Sequence, residues 1–158
     1  MSRDAFRVPV LLWSLRDGNG HGTPDDATEL ARLLHLFDGM GATPEQVVAR
    51  MLACQSVLTT FIGEMDGQPV GFACLRLVPH IQGDAPYAEL TDIYVEAPVR
   101  RRGVARALIA WVEEAAQAAG ASEVVIITGF DNEAAQAAYR AVGYVDWALA
   151  MRKRFPDE

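Results

Sequence analysis

The sequence predicts one α/β (α+β) domain in which helices pack on a mixed central β-sheet. Two kinds of segment alternate along its 158 residues: runs rich in β-branched and aromatic residues, and longer runs whose apolar residues recur at helical spacing. Turn signals rich in glycine, proline and aspartate separate them. The predicted order is β-α-α-β-β-β-α-β-α-β. No linker, internal repeat or second domain interrupts residues 1–158.

The first half begins with a predicted strand at 6–15, followed by two helices. Thr23 and Thr43 each precede a proline, which is a typical start signal for a helix. Gln46 can complete a capping box at the second helix. The apolar faces predicted for the two helices are Ala27, Leu30, Ala31 and Leu34 in the first, and Val47, Val48, Met51 and Leu52 in the second.

A hairpin and a further strand follow these helices. Residues 57–65 and 69–78 are strand-like and flank Asp66-Gly67, a strong hairpin signal. Gly71, inside the second strand, indicates either a bulge or a close approach of another chain segment. The next strand is predicted over 87–95.

The second half returns to alternating helices and strands. A helix is predicted over 103–119, ending at Gly120, where a left-handed residue is favoured. The apolar run 123–128 suits a central strand buried on both faces. A helix over 132–142 and a last strand over 144–154 complete the order. The predicted apolar faces are Val104, Leu108, Val112, Ala115 and Ala119 in the first helix, and Ala135, Ala138, Tyr139 and Val142 in the second.

Composition restricts the class of partner. The net charge of −7 argues against nucleic acid and mildly favours a cationic small ligand. No apolar run is long enough to span a bilayer, so we expect no membrane partner. Cys54 and Cys74 lack the spacing of metal ligands, and we expect no metal site. Reduced thiols and a cytoplasmic location are the simplest interpretation, although a bridge between the two cysteines stays open.

Four arginines surround the turn between the strand at 87–95 and the helix at 103–119. Gly103 and Ala105 are small, so an anion can approach the backbone N–H groups that begin the helix. The helix dipole and the arginines add positive charge there. This pattern predicts a pyrophosphate site, and the alternative is a solvated arginine cluster. The arginines are Arg100, Arg101, Arg102 and Arg106.

This segment resembles the central motif of the GNAT superfamily of N-acetyltransferases, Arg/Gln-x-x-Gly-x-Gly/Ala. A second motif of that family follows at the matching distance, and together the two cover about the last half of the chain. The first half matches only in its order of elements. The matching residues are Arg100, Gly103 and Ala105 after the strand Asp92 to Val95, and then Asn132, Ala135, Ala138, Tyr139, Gly143 and Tyr144.

The resemblance implies the GNAT fold with acetyl-CoA as cofactor. In that family a bulge splays the strand matching 87–95 from the strand matching 123–128, which opens a slot. The backbone of Ile93, Tyr94 and Val95 would pair with the pantetheine arm, and the Val95 N–H would point at the thioester oxygen. The turn formed by Arg101, Arg102, Gly103, Val104, Ala105 and Arg106 would hold the pyrophosphate, and Asn132, Ala135 and Tyr139 would contact the cofactor.

Acetyl transfer to an amine also needs a base, since an alkyl ammonium with a pKa of about 10 has no lone pair to attack with. Asp92 and Glu89 are the candidates, because a carboxylate in a central strand is costly to bury without a partner. The alternative for both is an ion pair with an arginine such as Arg76. Strand alternation predicts opposite faces, with Asp92 beside Leu90 and Tyr94, and Glu89 beside Thr91 and Ile93.

The resemblance further implies direct transfer, in a ternary complex, to the primary amine of a small acceptor, for which a cation such as a polyamine or an aminoglycoside is one option. Tyr139 would be the acid that protonates the leaving thiolate, and the alternative for it is core packing. The acceptor contacts would come from the first two helices: Phe37, Asp38, Met40 and Glu45, each with packing or surface exposure as its alternative. A cofactor-binding sensor, a peptide N-terminal acetyltransferase and a homodimer through the last strands also stay open.

Overall fold

In a computed structural model of the chain, the described residues are 12–13, for which the backbone alone is described, 26–39, 41–81 and 83–155. Their contacts divide the chain into two units, residues 1–126 and 127–158, and each unit is described by itself. Predictions for residues 6–11 and 14–15, Thr23, Pro24 and Met40 lie outside the described residues. No helix in the described part of the chain is both long and apolar enough to cross a membrane.

Two helices, α1 (Ala27–Asp38) and α2 (Pro44–Cys54), open the described part of the first unit. The predicted capping box is present: Thr43 Oγ1 accepts the Gln46 N–H at 3.3 Å, and Gln46 Oε1 accepts the Thr43 N–H at 3.0 Å. Leu33 is fully buried in α1, whereas the predicted Leu34 is half-buried. The two helices pack on each other, with Val47 the one fully buried residue of α2.

A five-stranded sheet forms the centre of this unit, in the order β1-β2-β3-β4-β5. The first four strands are antiparallel and β5 is parallel to β4. Asp66 (φ 53°) and Gly67 (φ 76°) form the predicted hairpin turn, in which both central residues have positive φ. The strands are β1 (Leu12–Trp13), β2 (Leu58–Met65), β3 (Gln68–Val78), β4 (Tyr87–Val95) and β5 (Val124–Ile126).

The two faces of the sheet are covered by different helices. Phe72 and Cys74 of β3 belong to the same buried cluster as α1 and Val47. Helix α3 (Val104–Ala118) packs on β2, β3 and β4, and a Cβ at Gly63 would lie 3.4 Å from Leu108. Gly63 pairs with Gly71, whose neighbour Phe72 points to the other face, so α3 lies opposite α1 and α2.

Two predictions about buried faces need correction. In α3, Ile109 and Ala116 are buried, whereas Ala115 is half-buried and Ala119 is exposed. The face of α3 is therefore rotated slightly from the predicted stripe, because it packs across three strands. The half-buried residues of β5 also differ from the two-sided burial predicted for 123–128.

A β-bulge at Thr91 changes which residues share a face of β4. Cys74 pairs with Asp92 and the next residue of β3, Leu75, pairs with Leu90, so Thr91 is an extra residue. Leu90 and Asp92 therefore point to opposite faces. Glu89 pairs with Arg76, two positions from Cys74, and so shares the α1–α2 face with Asp92. The predicted separation of the two carboxylates was wrong because the bulge resets the alternation.

The second unit contains helix α4 (Glu133–Ala141). Asn132 caps it as predicted, its Oδ1 accepting the Ala135 N–H at 3.2 Å. The face predicted for α4 is only partly covered: Ala135, Tyr139 and Val142 are half-buried, Ala138 is exposed, and no residue of the helix is fully buried. The predicted strand over 144–154 is also not formed, and its apolar side chains, such as Trp147 at 72% exposure, face solvent. Apolar composition favours a strand only where a neighbouring strand supplies hydrogen bonds and cover.

Candidate active site

The arginine-rich turn leads from β4 into α3 through a short 3-10 helix, Ala97–Val99. Gly103 is the N-cap of α3 in the left-handed conformation (φ 90°), and as a glycine it has no side chain to accept the first N–H groups of the helix. Arg101 is also left-handed, with φ 61°. Such turns present successive main-chain N–H groups to one side, a geometry that suits a phosphate oxygen.

The four arginines of the turn have different roles in the structure. Arg100 contacts the end of β4. Its Nε donates a hydrogen bond to the Val95 carbonyl at 2.9 Å, and its guanidinium carbon lies 5.8 Å from the Tyr94 ring centroid. Arg101, Arg102 and Arg106 are exposed. Three positive side chains therefore surround the turn, and the fourth holds the strand in place. This charge and the uncapped N–H groups fit a diphosphate.

A free strand edge lies beside this turn. Strand β5 pairs with β4 only from Ala88 to Leu90, and none of the described residues continues that ladder along 93–95. On the β3 side, the Glu96 N–H donates to the Val70 carbonyl at 2.9 Å. Because hydrogen-bonded pairs alternate along antiparallel strands, the main-chain groups of Ile93 and Val95 point away from β3. They face the edge where an extended amide-containing arm can add as a strand.

Gly71 keeps β3 close to this end of β4. A Cβ at position 71 would lie 2.5 Å from the Tyr94 carbonyl oxygen, a distance that a real side chain does not adopt. The close approach predicted for Gly71 is therefore confirmed. It holds Tyr94 against β3 while the neighbouring main-chain groups stay directed to the free edge.

A second fixed point joins α1 to the end of β4. Arg32 pairs with Glu96 and donates to the Pro69 carbonyl at 2.7 Å, and it also pairs with Glu29 on its own helix at 2.7 Å. These contacts raise the pKa of Arg32, the hydrogen bond to Glu96 most. The helix is thereby fixed against the strand that carries Asp92.

A cavity of about 320 Å³ lies between α1, α2 and the face of the sheet that they cover. Asp92 is part of its wall, and the Thr91 hydroxyl donates to Asp92 Oδ2 at 2.9 Å. Most of the other wall residues are apolar. The lining is Leu30, Leu34, Phe37, Asp38, Val47, Val48, Arg50, Met51, Leu52, Cys54, Gln55, Leu58, Thr59, Thr60, Phe72, Cys74 and Asp92.

Glu89, the other candidate base, is held by different partners. It forms an ion pair with Arg76 and accepts a hydrogen bond from the Tyr87 hydroxyl at 3.1 Å. That hydrogen bond is the main reason why the pKa of Tyr87 is raised. The arginine pairing considered for both carboxylates is thus present for Glu89. Asp92 is the one of the two that lines the cavity.

The predicted acceptor residues divide into two groups. Phe37 and Asp38 line the cavity. The Phe37 ring packs edge-on against the Phe72 ring, with 5.7 Å between the ring centroids. Glu45 is not part of the lining. It lies in the first turn of α2, where a hydrogen bond from Thr43 lowers its pKa.

Sequence reasoning missed most of the cavity wall, including Met51, Leu58 and Thr60. The apolar stripe of α2 was predicted, but nothing local shows that part of it borders an empty space. No turn signal was available for this wall, because the hairpin at Asp66-Gly67 sets the register of β2 against β3, whereas Cys74 meets the candidate base Asp92 across β3 and β4.

Both cysteines line the cavity as free thiols. Cys74 is buried, and loss of solvent raises the pKa of its thiol to about 12. Its Sγ lies 3.6 Å from Thr60 Oγ1, within hydrogen-bonding distance for sulfur. Cys54 is only half-buried. The two thiols therefore differ in access and, for Cys74, in acidity.

We expect iodoacetamide at pH 8 to alkylate Cys54 and to leave Cys74 unmodified in the folded protein. At four pH units below its pKa, only about one Cys74 thiol in ten thousand is ionised, and the thiolate is the reactive form. Peptide mass spectrometry after a timed reaction measures both sites. Equal labelling of the two cysteines before denaturation would contradict the burial of Cys74.

The remaining candidates lie in the second unit. Asn132 uses its side-chain oxygen to cap α4, and Ala135 supplies the N–H that it accepts. Tyr139 is half-buried, and its ring centroid lies 6.1 Å from that of Tyr144. Burial raises the pKa of Tyr139 above its usual value of 10.0. The phenol therefore keeps its proton at neutral pH, as a proton donor must.

Comparison with known proteins agrees with these features. A family model described as "Acetyltransferase (GNAT) family" matches residues 29–144. The aminoglycoside N(6')-acetyltransferase type 1 of Salmonella typhimurium is 31% identical over 158 residues, which cover 96% of this chain and 97% of the relative. The Stenotrophomonas maltophilia protein of the same name is 30% identical in an alignment that is 160 residues long, gaps included. The alignment covers 99% of this chain and 93% of the relative.

Solved structures share the fold. One is an aminoglycoside N-acetyltransferase in complex with CoA, with a TM-score of 0.72, 24% identity, and coverage of 83% of this chain and 89% of the other. Another is a ribosomal-protein-alanine N-acetyltransferase from Brucella melitensis, with a TM-score of 0.74, 23% identity, and coverage of 92% and 99%. The chain therefore belongs to the GNAT family of acetyltransferases, and it is an N-acetyltransferase whose co-substrate is acetyl-CoA.

Proposed function

We propose that this enzyme transfers the acetyl group directly to a small primary amine that binds in the cavity beside Asp92. The observation that carries the proposal is the position of two groups on β4. Asp92 lines the cavity, and Val95, three residues further along, directs its main-chain groups to the free strand edge. One strand thus borders both the acceptor cavity and the edge suited to the cofactor.

The first unit offers two sets of main-chain groups to acetyl-CoA, which supplies an acetyl group activated as a thioester. The N–H groups at Gly103, Val104 and Ala105 would bind the diphosphate, helped by the exposed arginines. The main chain of Ile93 and Val95 would bind the pantetheine amides as a neighbouring strand does. The Val95 N–H is the donor that we assign to the acetyl carbonyl oxygen, where negative charge develops.

Asp92 is the group that we assign to the proton of the acceptor. An ammonium binds to a carboxylate in an apolar wall, but it must lose a proton before its nitrogen can attack. Asp92 can serve both steps, attracting the cation and then accepting the proton directly or through one water. The hydrogen bond from Thr91 to Oδ2 fixes the carboxylate and leaves its other oxygen for the amine.

Tyr139 is the acid that we assign to the leaving thiolate, and a single catalytic domain over residues 1–158 is part of the proposal. Asn132 and Ala135, at the start of α4, are proposed cofactor contacts. The half-buried phenol and its raised pKa support the role of Tyr139, because a neutral hydroxyl is the form that donates. Phe37 and Asp38 are proposed acceptor contacts.

The finer properties of the enzyme are also proposals. The aminoglycoside acetyltransferase relatives and the net charge of −7 support a cationic amine acceptor. The same charge speaks against nucleic acid as a partner, and no membrane partner is proposed. Reduced cysteines support a cytoplasmic location. A homodimer is proposed on the family resemblance alone.

The proposal is tested by incubating the protein with acetyl-CoA and a panel of primary amines while following the released thiol. We expect steady-state release that depends on both the amine and the enzyme, with a pattern of intersecting lines when both concentrations are varied. Mass spectrometry of the product should show one added acetyl group on the amine. An acetylated enzyme that forms without amine would contradict direct transfer.

Replacing Tyr139 by phenylalanine should lower kcat about 10- to 100-fold and leave the affinity for CoA within a factor of three. The ring is kept, so packing changes little, but the proton donor is lost. Because the raised pKa keeps the wild-type phenol protonated below about pH 10, its contribution should persist at neutral pH and fade only above that range. The ratio of wild-type to variant kcat, measured from pH 6 to 10.5, tests this.

Tyr144→Phe is the matched control, since Tyr144 is the ring neighbour of Tyr139 on the same unit. It should leave kcat unchanged within a factor of three. Equal losses in both variants would identify a packing effect of the aromatic pair instead of acid catalysis.

A further inference from the structure

We infer that the preferred acceptor is a primary amine carried on a compact apolar body, about one ring or six carbons in size, instead of a polyhydroxylated aminosugar. This inference rests on the proposed function and concerns the chemistry of the same cavity. It is based on which residues of the cavity wall are buried and which are exposed.

The buried part of the wall is almost entirely apolar. The surface that a ligand can reach is carried by four half-buried apolar residues, Leu34, Val48, Met51 and Leu58, and behind them lie the core residues Phe72, Val47 and Leu30, each 3% exposed or less. Thr60 is the one buried polar lining residue among those described, and its hydroxyl lies at hydrogen-bonding distance from Cys74 Sγ. A ligand hydroxyl facing this surface would lose its hydrogen bonds to water without replacing them.

Of the other polar residues of the lining, three belong to its exposed part. Asp38, Arg50 and Gln55 are all exposed. Their position lets them contact a polar outer portion of a ligand, but not the portion that reaches the buried wall. Thr59 and Asp92 are half-buried. Thr59 pairs with Leu75 and so points to the α3 face of the sheet, whereas Asp92 lies on the same face as Phe72 and Cys74. The buried wall therefore offers one carboxylate for a cation and apolar contact for the remainder.

The size of the cavity limits the occupant further. A volume of about 320 Å³ is at the small end of the range of ligand cavities in proteins, roughly 300–1,000 Å³. One ring with a short linker fills such a space, whereas a molecule of several linked sugar rings would extend beyond it. Apolar contact is then the main source of affinity, and each added methylene should increase it until the cavity is full.

Two acceptor series test the inference. From propylamine to hexylamine, kcat/KM should rise about fourfold per methylene, as expected for burial of one CH₂. Cyclohexylamine and glucosamine form a matched pair, since both carry one amine on a six-membered ring and only one carries hydroxyls. We expect cyclohexylamine to be favoured by at least about 30-fold in kcat/KM, corresponding to two or more unsatisfied hydroxyls. Equal or better use of glucosamine, or a flat alkyl series, would overturn the inference.

An isosteric pair of variants tests the wall itself. Val48→Thr replaces a methyl by a hydroxyl in the lining without changing the volume, and it should lower kcat/KM for hexylamine about threefold or more. Val57→Thr makes the same change at a residue that is 53% exposed and outside the lining, and it should have no effect. Equal kinetics for both variants and the wild type would place the alkyl chain elsewhere.

Protection of Cys54 provides a readout that does not depend on turnover. Because Cys54 lines the cavity, bound hexylamine should slow its alkylation by iodoacetamide, while glucosamine at the same concentration should not. Protection by hexylamine without acetylation would support the cavity preference and contradict the proposed function. Acetylation without a preference for apolar amines would support the proposed function and contradict the cavity preference. Neither protection nor acetylation would overturn both.

Discussion

Replacing Asp92 by asparagine is expected to lower kcat/KM for the amine about 100- to 1,000-fold while leaving CoA affinity unchanged within a factor of three. Asparagine keeps the size of the side chain but can neither attract the ammonium nor accept its proton. CoA affinity should persist because the side chain lines the cavity, whereas the proposed cofactor contacts are main-chain groups at the free strand edge. Steady-state kinetics and CoA titration measure the two quantities separately.

The pH dependence of the Asp92→Asn variant provides a second measurement. Without a base, the reaction must use the small fraction of amine that is already neutral. This fraction rises tenfold per pH unit below the amine pKa of about 10. The variant should therefore regain much of its lost rate between pH 8 and 10, and the deficit relative to the wild type should shrink.

Glu89→Gln is the matched control for this experiment. Both carboxylates lie on the same face of β4, but Glu89 is held by Arg76 and Tyr87 and does not line the cavity. We expect less than a fivefold change in kcat/KM from Glu89→Gln. A large loss in that variant together with a small loss in Asp92→Asn would assign the base to Glu89 and contradict the proposal.

The features that sequence predicted correctly depend on short-range signals. The capping box of Thr43 and Gln46, the hairpin at Asp66-Gly67 and the cap at Asn132 each involve residues within three positions of one another. Gly103 was identified for the same reason, because the strand, the small residue and the helix are contiguous. In such cases the backbone geometry required by the fold is specified by the residues that adopt it.

The cavity and the arrangement of the two carboxylates depend on long-range packing. The resemblance implied a bulge in the strand 87–95, but its position at Thr91 is visible only when the register of β3 against β4 is known. One extra residue there reverses every side chain that follows. A periodic pattern predicts which face of a strand or helix is buried, but it does not show where an extra residue exchanges the two faces. Likewise, an apolar stripe does not show that α1 and α2 leave a space against the sheet. The cost of burying a carboxylate in a strand supplied both candidates, but it did not distinguish Asp92 from Glu89.

The strand predicted at 144–154 shows that a local sequence pattern can also predict an element that does not form. Its residues have strand-like composition, yet an extended segment gains little unless another strand pairs with it and covers its apolar side chains. In the second unit none of the described residues forms such a ladder. The face predicted for α4 is only partly covered for the same reason, because the described residues of that unit form no sheet on which it could pack.

Replacing Gly103 by valine is expected to weaken CoA binding about 100-fold or more. At φ 90° a β-branched residue is strained, and relief of that strain should move the N–H groups that begin α3 out of the geometry that suits a phosphate. Loss of two hydrogen bonds to a charged phosphate, at about 1.5 kcal/mol each, accounts for that magnitude. Isothermal titration with CoA measures the effect, and KM for acetyl-CoA should rise in parallel while the preference among amines is retained.

Gly120→Val is the matched control, because Gly120 lies past the other end of the same helix and also has positive φ (78°), and a Cβ added there would meet no heavy atom within 4 Å. Both substitutions strain the backbone in the same way, at a cost of about 1–3 kcal/mol in the free energy of unfolding. Similar losses of thermal stability with very different losses of CoA affinity would locate the diphosphate at the Gly103 end of α3. If the two variants bound CoA equally well, the uncapped N–H groups and the surrounding arginines would not be the anchor, and the cofactor would have to be held along β4 alone.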